Sequence, residues 1–111
     1  FNFGPRAEQN HTVKKLLEDL STYWNFDNAS DAFTVTDNIP FHEAGLLKLN
    51  CDKALAYLKW QASLTYEETI KFTSQWYFDF YKTDKNVFET TIKQIEDYEN
   101  IAQHKKLEWT A

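Results

Sequence analysis

Apolar residues recur at helical spacing along four stretches of this chain, and short β-prone runs fall between them. After Thr12, a plausible N-cap, Val13, Leu16, Leu17, Leu20 and Trp24 fall on one helical face with charged residues opposite, which predicts a first helix. Asn50 can cap a shorter helix across "CDKALAYL", with Ala54, Leu55 and Leu58 turned inward. Thr65 followed by Glu68 is a capping box, and it opens a helix whose Tyr66, Ile70, Thr73, Tyr77 and Phe80 share an apolar face. Beyond the break "KTDKN", Phe88, Ile92, Ile95, Tyr98 and Ala102 repeat to build a last helix, and the tail 104–111 is expected to fray.

The runs "FNFGP", "AFTVT" and "LLKLN" read as short strands, with "NFDNASD" and "DNIPFHEAG" as the polar loops where a site could sit. The predicted fold class is therefore α+β and mostly helical, with about four helices and a few short strands in one domain spanning 1–111. Strands so few make no self-sufficient sheet and normally lean on something larger.

Composition adjusts this picture in three places. Aromatic residues reach 17%, with four Trp, six Tyr and nine Phe, which predicts a core built from bulky rings. Twelve basic residues against 17 acidic ones give −5, and no Lys/Arg cluster has the density a phosphate backbone demands, so nucleic acid is not the expected partner. No apolar run approaches the length of a membrane span, and the single cysteine, Cys51, suits a reducing compartment, so the expectation is a cytoplasmic chain without membrane contact. The chain has no methionine, not even at position 1, and is expected to be a fragment.

Candidate chemistry is sparse. A dinucleotide loop needs clustered glycines, and Gly4 and Gly45 stand far apart, so no cofactor is expected on this chain. Tyr81 and Lys85 match a Tyr-x-x-x-Lys spacing, but they end a helix in polar turn residues with no cofactor loop beside them, and are set aside. His11, His42 and His104 are widely separated, which argues against a metal site. Cys51 opens a short helix and reads as a packing residue rather than a nucleophile. His42 and Glu43, adjacent in the loop before "LLKLN", read plainly as a solvated pair, with a ligand contact as the alternative.

A resemblance narrows that choice. "FNFGP", the spacing to "TVKKLLEDL" and "YW", then "HEAGLLKLNCDKA", "TYEETIKFTSQWY" and "TIKQIEDYE" resemble the carboxy-terminal part of CDP-glucose 4,6-dehydratases, in the extended short-chain dehydrogenase/reductase superfamily. Gly45 and Phe41 depart from the usual pattern, standing where relatives commonly have a larger polar residue and proline. The resemblance implies a small substrate-binding lobe without its Rossmann domain and not catalytic alone. The parent would be an NAD-dependent lyase converting CDP-glucose to CDP-4-keto-6-deoxyglucose for deoxysugar biosynthesis, such as that of O-antigen. It implies that His42 and Glu43 lie near the diphosphate and ribose, with Asn10 and His11 contributing. The implied partners are CDP-glucose and the amino-terminal Rossmann domain, in a homodimeric parent that holds the NAD. The alternatives are the lobe of another sugar-nucleotide dehydratase or epimerase, and an independent helical module that holds another protein on its aromatic face.

Overall fold

The protein was examined as a computed structural model, which describes residues 1–6, 9–36 and 48–110. Four helices form in chain order: α1, Val13–Ser21; α2, Asp52–Leu58; α3, Tyr66–Lys82; and α4, Val87–His104. Single 3-10 turns follow at Ala29–Asp31 and Glu108–Thr110.

Each start has a local cause. The Thr12 hydroxyl accepts from Lys15 N at 3.1 Å, capping α1. At α3 both halves of the capping box form: Glu68 N donates to Thr65 Oγ1 at 3.2 Å and Thr65 N to Glu68 Oε2 at 2.7 Å. Asn86 caps α4 through Phe88 N at 3.0 Å. Asn50 accepts from Asp52 N at 2.8 Å, but the N-cap position itself falls to Cys51, one residue later than the sequence suggests. Lys59 ends α2 in the left-handed region at φ 55°, a turn that carries Trp60 back along the helix.

The long helix α3 is the centre of the packing, with α1 on one flank and α4 on the other. Polar contacts cross both flanks. Ser74 Oγ reaches the Leu20 carbonyl of α1 at 3.4 Å; on the other side Trp76 Nε1 donates to Thr91 Oγ1 and Gln94 Nε2 to the Phe72 carbonyl, each at 2.8 Å. At the α3–α4 turn the buried Asp79 carboxylate accepts from Gln75, Lys85 and Thr90.

Two sequence expectations are corrected here. Among the described residues none of the three β-prone runs forms a strand. "FNFGP" does run beside residues 49–51, where Asn2 Nδ2 donates to the Asn50 carbonyl at 3.3 Å, but that side-chain contact is not a ladder, and β propensity expresses itself only where a neighbour pairs with it. Nor do the described residues form an aromatic core: the hydrophobic residues buried among them are Ala54, Ile70 and Ala102, whereas Leu55 and Leu58 of α2 and Tyr77 and Phe80 of α3 are exposed. A radius of gyration of 16.7 Å and extents of 46 × 40 × 19 Å describe a flat layer, against about 13 Å for a compact domain of this length. A layer this thin gives large side chains no interior, so they are displayed on its faces.

The segment after His104 carries the second 3-10 turn, stacks Trp109 on Tyr98 with ring centroids 6.0 Å apart, and ties Lys105 to Ser63 and Glu68.

Candidate functional site

The amino-terminal segment, α2 and the turn around Trp60 enclose a groove of about 590 Å³, within the range of small-molecule sites. Gly4 lies against the residues that lead into α2: a Cβ there would sit at ordinary contact distance, 3.5 Å from Cys51 Sγ and 3.6 Å from Leu49. Arg6 and Lys48 bring two cations to the groove, with Asn50, Gln61 and Trp60 alongside. Arg6 Nη2 donates to Gln61 Oε1 at 3.3 Å, which aims the guanidinium along the rim. Phe3 meets the Trp60 ring edge to face at 5.0 Å, and Cys51 packs half-buried against this wall.

A second cavity, of about 420 Å³, lies on the other side of the same strip. Gly4, Pro5, Trp60 and Ala62 line both, so the two spaces meet around Trp60. The second is the more apolar, with Gln9, His11, Ser63 and Tyr98 as its polar edges. Ser63 Oγ donates to the Tyr98 hydroxyl at 3.1 Å.

His11 stacks on Tyr66 with ring centroids 3.6 Å apart and planes within 17°. The Tyr66 hydroxyl donates to Asp19 Oδ2 at 3.0 Å, and Lys15 bonds the other oxygen of that carboxylate. The Lys15 hydrogen bond, helped by that from Tyr66, holds the Asp19 carboxyl below the usual carboxylate range although partial desolvation opposes it. Burial, and then the bond to the Asp19 carboxylate, push the Tyr66 phenol up.

The site residues expected from the sequence fare unequally. His42 and Glu43 lie outside the described residues. Asn10 is exposed and makes no hydrogen bond among the described residues, whereas His11 lines the second cavity. Tyr81 and Lys85 do not form a catalytic pair: Lys85 Nζ is bound to Asp79 Oδ1 at 3.1 Å and Tyr81 stacks against Tyr77. Among the described residues no group of His, Cys, Asp and Glu is placed to hold a metal ion, and no helix is long and apolar enough to cross a membrane. Sequence reasoning did not single out Arg6, Lys48, Trp60 or Tyr66 as site residues. The signal for Arg6 was its place directly after Gly4 and Pro5; nothing local distinguishes Lys48 from the other lysines.

The arrangement is a small helical layer with an open, cation-edged groove. Comparison with known proteins points to one relative in particular. Over 98 residues, 88% of this chain, the sequence is 33% identical to CDP-glucose 4,6-dehydratase of Salmonella typhimurium. The chain spans 26% of the length of that protein. No protein-family model and no solved structure matches the chain.

Proposed function

We propose that this chain is the sugar-nucleotide-binding lobe of a CDP-glucose 4,6-dehydratase of the extended short-chain dehydrogenase/reductase superfamily, working in the cytoplasm. The similarity along 88% of the chain to a dehydratase of that name carries the reading. The lobe covers CDP-glucose, and a Rossmann domain supplies NAD and the reacting groups in a homodimeric parent. Hydride passes from C4 of the glucose to NAD, water leaves across C5 and C6, and the hydride returns at C6. In this reading His42 and Glu43 hold the diphosphate and ribose, with Asn10 and His11 beside them. The groove gives the reading physical support, because Arg6 offers charge-assisted bonds to phosphate oxygens on a chain whose net charge of −5 would otherwise repel them.

The experiment is a calorimetric titration of CDP and CDP-glucose into the full-length protein that carries this chain, with His42→Ala and Arg6→Ala beside it. Both variants should weaken CDP-glucose by about tenfold, the worth of one charge-assisted hydrogen bond, while NAD binding is unchanged. Unaltered CDP-glucose affinity in both would sink the reading.

A second reading, a helical module that docks another protein, draws on Tyr81 and Phe88, which are 64% and 70% exposed. Loss of a stable partner on Tyr81→Ser with CDP-glucose affinity intact would favour it.

A further inference from the structure

His11 and Tyr66 come from different parts of the chain, and the Tyr66 ring is held from two sides. Its backbone opens α3 directly after the capping box at Thr65, which fixes where the ring leaves the helix. Its hydroxyl is tied to Asp19 of α1, whose carboxylate is in turn bonded to Lys15 one helical turn earlier. The His11 imidazole, by contrast, rests on this ring by its face alone and makes no hydrogen bond to a described residue. Face-to-face stacking consumes neither ring nitrogen, because both lone pair and N–H lie in the imidazole plane. The outcome is an exposed histidine with a set ring orientation, and two nitrogens that bond no described residue, at the edge of a cavity of about 420 Å³.

We propose that Tyr66, braced by Asp19, is a positioning residue that presents the edge of His11 to a phosphate oxygen of the bound nucleotide. This rests on the nucleotide reading above and deepens it. A surface histidine on a flexible loop loses affinity to the cost of ordering its ring; one already stacked has that cost removed before the ligand arrives. The brace does not touch the ligand, so its contribution passes through His11.

The test uses the full-length protein that carries this chain and two readouts. In the first, NMR chemical shifts of the His11 ring protons are compared with those of exposed His104. The Tyr66 ring current should move His11 upfield in the wild type, Tyr66→Leu should abolish the displacement, and Tyr66→Phe, which keeps the ring but loses the bond to Asp19, should retain only part of it. In the second, CDP and cytidine are titrated. His11→Ala and Tyr66→Leu should each weaken CDP by about tenfold. The double variant should be no weaker than either single one, Tyr66→Phe should fall between wild type and Tyr66→Leu because the ring stays while the Asp19 bond is lost, and cytidine should respond little. Additive losses, or a His11 shift unchanged by Tyr66→Leu, would overturn the positioning role while leaving the nucleotide reading standing. Equal losses for CDP and cytidine would overturn the phosphate contact. A His11→Ala variant with wild-type affinity for CDP would refute His11 as a ligand contact, and the ring shifts would then still report whether the stack exists.

Discussion

Lys105 Nζ donates to Glu68 Oε2 at 2.8 Å and to the Ser63 carbonyl at 2.7 Å, so the end of α4 is fastened to the first turn of α3. Glu68 is also half of the capping box, and one carboxylate oxygen thus serves both the helix start and the interhelical tie. The Lys105 bond, followed by the backbone bond from Thr65, holds the Glu68 carboxyl below the usual glutamate range.

The sign of the resulting pH dependence follows. A carboxyl lowered in the folded state contributes stability above its unfolded value of about 4.3, and that contribution is lost as pH falls through the lowered folded value. Glu68→Gln should cost about 1 kcal/mol at neutral pH, since the pair is partly exposed. Urea titrations at neutral pH and at about pH 3 should show the difference between wild type and variant shrinking on acidification. A difference that grows toward low pH would refute the tie.

Asp79 is expected to be the most sensitive polar position. Its side chain is only 4% exposed and gathers Gln75, Lys85 and Thr90 where α3 turns into α4, while Lys85 stays 60% exposed. Asp79→Ala leaves the half-buried Gln75 and Thr90 donors without their acceptor and should cost about 2 kcal/mol in urea unfolding. Lys85→Ala should cost less, about 1 kcal/mol, because two neutral donors still satisfy the carboxylate. Equal costs would mean the charge pair, rather than the hydrogen-bonded network, dominates.

Thr65→Ala removes the side-chain acceptor of the capping box and should lower stability by about 1 kcal/mol. Thr65→Ser keeps the oxygen and should be nearly neutral. Because the same cap sets the position of Tyr66, the alanine variant should also reduce the upfield displacement of His11, which a cap serving stability alone would leave unchanged.

Gly4 offers a steric test of the groove. A methyl group there meets Cys51 and Leu49 at 3.5–3.6 Å, ordinary contact distances, so Gly4→Ala should change stability by less than about 1 kcal/mol. Gly4→Leu projects into the space that the two cavities share and should weaken CDP binding much more than it weakens the fold. Wild-type affinity in the leucine variant would remove this groove from the nucleotide site.

Much of the local structure was legible in the residues themselves. Thr12 and the Thr65–Glu68 box name their helices because a cap is a bond between groups three residues apart, and no distant contact is needed to satisfy it. The α3–α4 break at "KTDKN" was equally visible as turn chemistry. The strands were misjudged because "FNFGP" and "AFTVT" have strand composition, and composition cannot state whether an edge lies beside them. The site was legible only in part. His11 was reached through a family resemblance, while Trp60, Arg6 and Lys48 converge from distant points of the chain.

What the sequence by itself determined, then, is where helices begin and end, since caps, breaks and 3.6-residue periodicity are short-range matters. Only the tertiary structure decided which faces those helices bury. Alternating polar and apolar positions predict a core, yet α1, α3 and α4 lie side by side in one layer bridged by Ser74, Trp76 and Gln94, and rings such as Tyr81 and Phe88 remain outside. Burial depends on what stands opposite a side chain, and the stack of His11 on Tyr66, 55 positions apart in the chain, belongs to the same long-range order.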